Sequence, residues 1–223
     1  MNRFAIALLA GVAGVSVMSS AFAADLIISE PAPAVGVVST SGGNWDGLFL
    51  GAFAGYGWGT LTDEDGYFDP AGTEYDPTGW QVGVAAGVNF TVSEAIVAGL
   101  VADIAWSDLG GDFVGGDLTS KTDWQGSIRG RIGFDGGAFL PYVTGGLAFA
   151  NNTLTDNVTP IEDTQTHIGW TLGAGVEFAV ADNVSLDLQY RYSDFGKKTY
   201  DLNVPTDYSL TSHAVTAGIN FRF

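Results

Sequence analysis

The chain has 223 residues, no cysteine, and 25 acidic against 8 basic side chains, for a formal net charge of -17. The lack of cysteine excludes disulfides and thiolate sites for metals or catalysis. The acidic balance argues against nucleic acid as a partner, because a phosphate backbone needs basic neutralisation.

Residues 1–23 have the pattern of a cleaved signal peptide. A basic start at Met1–Arg3 precedes an apolar run, and Ala21-Phe22-Ala23 offers small residues where a signal peptidase cuts. The run is short for a membrane anchor, which needs about 20 residues. Residues 24–44 are rich in proline, serine and glycine, which predicts a flexible periplasmic segment. No later stretch is long and apolar enough for a transmembrane helix.

Eight segments with a period of two follow, and we predict that residues 45–223 form one domain. Each segment has apolar side chains on one face and glycine or polar side chains on the other, as expected for strands. They are Trp45–Trp58, Thr78–Phe90, Ile96–Ser107, Thr122–Phe134, Phe139–Ala150, Thr166–Phe178, Val184–Ser193 and a terminal strand that ends at Phe223. The fifth is the weakest, because Gly145-Gly146 blurs its alternation; there we assign Val143, Leu147 and Phe149 to the outer face.

The connections between these segments alternate in length. Those at 91–95, 135–138 and 179–183 are short, and those at 59–77, 108–121, 151–165 and 194–208 are long. Outer-membrane barrels have short periplasmic turns and longer extracellular loops. We therefore predict an all-β fold, an eight-stranded antiparallel transmembrane up-and-down barrel with four long extracellular loops.

Charged side chains fall on the inner faces of the predicted strands. They are Asp103, Arg129, Arg131, Glu177, Asp187, Arg191 and Arg222. Unpaired charges in a narrow interior are costly, so we expect one network of ion pairs and hydrogen bonds. An eight-stranded barrel is just wide enough to be filled by its own side chains, which favours a plugged lumen. A small gated pore lined by the arginines is the alternative.

The predicted outer loops are acidic. Asp63, Asp65 and Asp69 form a candidate cation-binding loop, through which calcium or magnesium would bridge to lipopolysaccharide phosphates. The plainer interpretation is a solvated surface that resists association through charge.

Catalytic candidates are few. Of the two histidines, His213 adjoins Ser212, but neighbouring strand residues face opposite sides. His167 points inward and has no evident nucleophile and orienting acid. We expect no enzyme activity and no cofactor.

The terminal strand carries an apolar stripe that ends on an aromatic residue. Its members are Val215, Ala217, Ile219, Phe221 and Phe223. Such a terminus resembles the signal by which the outer-membrane assembly machinery recognises barrels.

Several segments resemble the small outer-membrane immunogenic proteins of alphaproteobacteria, often called "porin family" and OmpA-like. The segments are Trp124–Phe134, Leu140–Ala148, Gly169–Glu177, Tyr190–Gly196 and Phe221–Phe223. The resemblance covers residues 45–223 and implies a Gram-negative surface antigen that supports envelope integrity and host contact. Some relatives bind haem, but neither histidine here has an evident second axial partner. We expect a structural surface barrel in contact with lipid and lipopolysaccharide. A small porin is the alternative, and a haem-binding or lipid-modifying barrel is less favoured.

Overall fold

The computed structural model describes residues 45–64, 73–113, 118–157, 161–201 and 205–223. The predicted signal peptide and the segment 24–44 lie outside the described residues. The strands are β1 Gly47–Asp63, β2 Thr73–Tyr75, β3 Thr78–Ser93, β4 Ile96–Phe113, β5 Leu118–Phe134, β6 Phe139–Asp156, β7 Ile161–Ala181, β8 Val184–Asp201 and β9 Pro205–Arg222. Within these ranges, no helix has the length and apolar character needed to cross a membrane.

The strands close into a barrel. From β3 onward each strand pairs antiparallel with the next, and β9 pairs back with β1. The short β2 lies beside the outer end of β1, on the same side as β3, so it extends the β3 wall. Eight strand positions therefore form the barrel, with β2 and β3 sharing one of them, and the predicted eight-stranded antiparallel fold is confirmed.

The strands run much further outward than the hydrophobic pattern indicated. β4 continues to Phe113 and β5 begins at Leu118, where a loop from 108 to 121 was predicted. Likewise, β6 continues to Asp156 and β7 begins at Ile161, where a loop from 151 to 165 was predicted. Beyond the membrane the outer face of a strand is polar too, so the alternation that marks a strand disappears from the sequence.

An apolar belt surrounds the barrel. Its members are exposed side chains on the outer faces, among them Leu50, Val84, Leu100, Ile128, Leu172, Leu188 and Ile219. Five of the six tryptophans border one edge of the belt (Trp58, Trp80, Trp106, Trp124 and Trp170), and phenylalanines border the other (Phe90, Phe134, Phe139, Phe178 and Phe223). From Trp80 to Phe90 a tilted strand rises about 25 Å, the height of the apolar band in outer-membrane barrels.

One predicted inward position is wrong. In the predicted segment Thr122–Phe134, strict alternation places Asp123 on the inner face with Gln125 and Ser127, but the register shifts between Thr122 and Trp124. This irregularity turns Thr122 inward and leaves Asp123 on the outer surface, where it pairs with Lys121 at 3.4 Å. A bulge adds one residue to a strand and reverses the faces beyond it, and nothing in the local sequence marked it.

Candidate functional site

The centre of the lumen holds an ion triad. Arg129 Nη2 lies 2.5 Å from Asp103 Oδ1, and Arg191 Nη1 lies 3.1 Å from Asp103 Oδ2. The Ser127 hydroxyl donates to the same carboxylate at 2.6 Å. All of these side chains are buried, so one carboxylate serves two guanidinium groups without help from bulk water.

A second ion pair lies nearer the periplasmic end. Arg131 Nη2 lies 2.5 Å from Glu177 Oε2, and the Ser185 hydroxyl donates to the other carboxylate oxygen. Three partners on three strands, β5, β7 and β8, are thus joined across the barrel interior.

Tyr142 on β6 connects the two groups. Its hydroxyl donates to Asp187 at 2.6 Å and accepts from Gln189 at 3.0 Å. Gln189 in turn accepts from Arg129 at 2.8 Å, and the Arg131 guanidinium lies 3.9 Å from the Tyr142 ring centre. We call this connected set, with the triad and the second pair, the ionic core. Tyr142 was not among the predicted lumen residues; its position one residue before outward Val143 was the available signal.

Two predicted members take other partners. Asp187 forms its direct hydrogen bond with the Tyr142 phenol, and no ion pair of it is found among the described residues. Arg222 stacks over the Trp45 indole, with its guanidinium carbon 4.4 Å from the ring centre. The seven predicted charges therefore all line the lumen, but five of them form ion pairs with one another.

Trp45 covers the periplasmic end of the lumen. It is almost fully buried, packs with Val97 and Leu140, and its indole N–H lies 3.2 Å from both Asp135 Oδ1 and the Gly137 carbonyl oxygen. Gly137 has a φ of 79°, a left-handed conformation that glycine adopts without steric cost. The turn that holds Trp45 is therefore built for a glycine.

Buried side chains also lie in the outer part of the lumen. Above the ionic core, Gln125 donates to Gln81 at 2.5 Å, and Ser193 donates to Thr171 at 2.9 Å. Further out lies an apolar cluster of buried side chains. It consists of Leu61, Ala148, Ala150, Leu154, Phe195, Tyr208 and Leu210. Outward of the ionic core, apolar side chains are therefore buried beside polar ones such as Asn152 and Asp156.

The wall opposite the charges is made of aromatic rings over glycines. A Cβ at Gly83 would come within 2.6 Å of the Phe53 ring, and one at Gly87 would collide with Phe49. Between this wall and the ionic core lies a cavity of about 40 Å³. By volume it holds about three water molecules.

The remaining predicted residues are separate from the ionic core. Asp63 is buried at the outer end of β1, whereas Asp65 and Asp69 lie outside the described residues. Among the described residues, no three histidine or acidic side chains are grouped to hold a metal ion. The predicted assembly signal, Val215 to Phe223, lies on the outward face of β9 and just beyond it, and its recognition stays a prediction.

The two histidines lie on opposite faces of the barrel wall. His167 is buried in the lumen, and His213 faces outward. His213 Nδ1 lies 2.7 Å from the Tyr190 hydroxyl, and its ring stacks on Trp58. The histidines therefore share no common site.

The closed barrel with its outward apolar belt and polar interior is the architecture of an outer-membrane protein. The family model of the outer membrane protein beta-barrel domain matches residues 6–223. The chain belongs to the outer membrane protein beta-barrel family. Its location is the outer membrane, in agreement with the sequence prediction.

Relatives in alphaproteobacteria match nearly the whole chain. A 25 kDa outer-membrane immunogenic protein of Brucella abortus biovar 1 (strain 9-941) is 32% identical over 209 residues, 92% of this chain and 92% of the relative. A 22 kDa outer membrane protein of Rhizobium leguminosarum bv. viciae is 32% identical over 182 residues, 81% of this chain and 79% of the relative. The predicted resemblance to outer-membrane immunogenic proteins is confirmed.

A solved structure supports the fold alone. Neisserial surface protein A is 20% identical, with a TM-score of 0.50, and the match covers 79% of this chain and 97% of that chain.

Proposed function

We propose that this family member is a surface barrel with a closed lumen, which supports the integrity of the outer membrane and presents an acidic exterior. The observation that supports the proposal is the presence of buried side chains at three levels of the lumen. Trp45 lies at the periplasmic end, the ionic core lies in the middle, and the cluster around Leu154 and Tyr208 lies further out.

The energetics of the ionic core favour closure. A hydrated cation that bound Asp103 would have to displace Arg129 or Arg191 from it, and breaking a buried pair costs about 3–5 kcal/mol. The cavity beside the core has room for only about three water molecules. Charges held this way link strands across the lumen and do not form a path for ions.

A small porin passing ions or small solutes is the second candidate. The observation in its favour is the wall of Phe49 and Phe53, because glycines lie behind both rings and leave little else to fill that side. Movement of these two rings would widen the cavity next to Arg129 and Arg191.

Planar bilayer recordings on the refolded barrel separate the two functions. For a closed lumen we expect no conductance steps from the wild type, and steps from the Phe49→Ala, Phe53→Ala double variant. The matched control is Leu50→Ala, a neighbour on the outward face, which should remain silent. Reproducible wild-type steps that change in Arg129→Ala or Arg191→Ala would contradict the closed lumen and establish the porin.

The envelope role has its own test. A deletion strain should become sensitive to detergent and to chelators, because divalent cations would link the acidic exterior to lipopolysaccharide phosphates. Complementation by the wild-type chain should restore resistance, and an unchanged envelope would contradict the role. Recognition by the assembly machinery and contact with a host surface belong to the same proposal.

Non-enzymatic action completes the proposal. His167 and His213 lie on opposite sides of the barrel wall, so the two histidines cannot act together in one catalytic site. A lipid-modifying activity of the purified barrel that is lost in His167→Ala or His213→Ala would overturn this part.

A further inference from the structure

The outer wall formed by β5, β6 and β7 above the apolar belt has an unusual surface. Its outward positions form three cross-strand rows: Trp124, Asn151 and Thr166; Lys121, Thr153 and Thr164; and Thr119, Thr155 and Glu162. We call the hydroxyl- and amide-bearing part of this array the threonine face; it comprises Thr119, Asn151, Thr153, Thr155, Thr164 and Thr166.

The threonine face is ordered and accessible. The hydroxyls of Thr153 and Thr164 lie 2.9 Å apart, and the Asn157 amide donates to Thr119 at 2.9 Å. Thr164 and Thr166 are exposed, while the alternate residue His167 is buried inside the barrel. The strands hold these groups about 4.8 Å apart across the wall and about 6.7 Å apart along it.

The height of the face limits what can occupy it. Thr166 lies two residues outward of the belt residue Ile168 on β7, and Asn151 lies two residues outward of Phe149 on β6. The face therefore begins where the apolar belt ends. With a strand tilt of about 40°, Thr166 and Thr164 rise about 5 and 10 Å above Ile168. In the outer membrane this is the depth of the lipid head groups, which a soluble protein would reach only by displacing lipid.

Charge distinguishes this wall from the opposite one. On the threonine face Lys121 pairs with Asp123, and Glu162 stands at the upper edge. Around the outer ends of β1, β2, β8 and β9, two described lysines, Lys197 and Lys198, stand among five described carboxylates, and Lys197 pairs with Glu64 at 3.4 Å. The carboxylates are Glu64, Glu74, Asp76, Asp194 and Asp207, so this wall keeps an excess of three negative charges, against an excess of one for Lys121, Asp123 and Glu162. An anionic head group is repelled by the second wall more than by the first.

We propose that the threonine face is the barrel's contact surface for the phosphorylated saccharide head group of lipopolysaccharide in the outer leaflet. Hydroxyl and amide groups both donate and accept, so they match the hydroxyls of a sugar. Lys121 lies in the middle row, and its ammonium group, which is half exposed beside Asp123, has further N–H donors for a phosphate. This inference deepens the proposed envelope role and rests on it, but it does not depend on the closed lumen.

Binding of lipopolysaccharide to the full-length refolded barrel tests the proposal. The test variant is Thr153→Val, Thr164→Val, Thr166→Val, which removes hydroxyls at nearly constant volume. The control is Thr60→Val, Thr211→Val, a directly paired couple on the opposite wall. The probe is lipopolysaccharide in phospholipid vesicles, with plain phospholipid vesicles as reference, and folded protein is verified by its heat-dependent gel mobility.

We expect the test variant to bind lipopolysaccharide about tenfold more weakly than the wild type, which corresponds to about 1.4 kcal/mol. The control variant should bind as the wild type does, and serine at the same three positions should restore binding. Equal affinity of the test variant and the wild type, or an equal loss in the control, would refute the threonine face. The deletion-strain phenotype could still hold in that case, so failure of the face is distinct from failure of the envelope role.

Discussion

Neutralising Asp103 is the sharpest test of the ionic core. Asp103→Asn keeps the shape of the side chain but leaves Arg129 and Arg191 as two buried cations facing one another. Removal of one partner from a buried ion pair costs about 3–5 kcal/mol, and here two guanidinium groups lose the same anion. We expect the free energy of unfolding to fall by at least the lower end of that range.

Urea titration of the barrel folded into lipid vesicles measures this loss, with tryptophan fluorescence as the signal and linear extrapolation to zero urea. The matched control is Asp123→Asn, whose ion pair with Lys121 is about half exposed. Exposed pairs contribute about 0–1 kcal/mol, so the control should unfold almost as the wild type does.

A third variant separates charge from packing. Asp103→Leu with Arg129→Met and Arg191→Met removes all three charges together, and it should recover most of the stability that Asp103→Asn loses. A loss below 1 kcal/mol in Asp103→Asn would contradict a dry ionic core and indicate that water already reaches these groups.

Three further predictions concern packing and assembly. Gly146→Ala should destabilise the barrel, because its Cβ would meet the β5 backbone, with Arg129 Cα at 2.7 Å; Gly130→Ala, whose nearest atom is 3.8 Å away, should be tolerated in the same urea titration. Tyr142→Phe should cost about 1–3 kcal/mol, because the Asp187 carboxylate and the Gln189 amide N–H lose their hydrogen bonds to the phenol. Deletion of Phe223 should lower the amount of protein in the outer membrane, measured by fractionation, while folding of the purified chain in detergent stays normal.

The sequence predicted the barrel because each membrane-crossing segment has lipid on one side. Lipid requires apolar side chains at every second position, and this constraint is strong enough to appear in a single sequence, as from Trp80 to Phe90. It held through Gly145-Gly146, where Val143 and Leu147 are exposed as predicted.

The same reasoning failed where that constraint ends. Above the belt both faces are polar, so the outer halves of β4 to β7 carry no periodic signal and were assigned to loops. The bulge at Thr122 reversed the faces without any change in residue type. The alternation also could not predict which side chains would contact one another. It placed Asp187 and Arg222 in the lumen, but their contacts with Tyr142 and Trp45 depend on the tertiary arrangement.

The distribution of charge suggests that stability and interaction are served by separate surfaces. Inside the lumen, four described arginines face five described carboxylates, because Asp63 and Asp156 are buried at its outer end in addition to Asp103, Glu177 and Asp187, so the interior is close to neutral although the chain carries a formal charge of -17. The excess acid must therefore lie outside the lumen, where it is solvated and costs the fold little. Substitutions in the ionic core should then change unfolding without altering lipopolysaccharide binding, and hydroxyl removal on the threonine face should do the reverse. A single variant of either set that moved both measurements would show that the wall transmits strain between them, since packed interiors are poorly compressible.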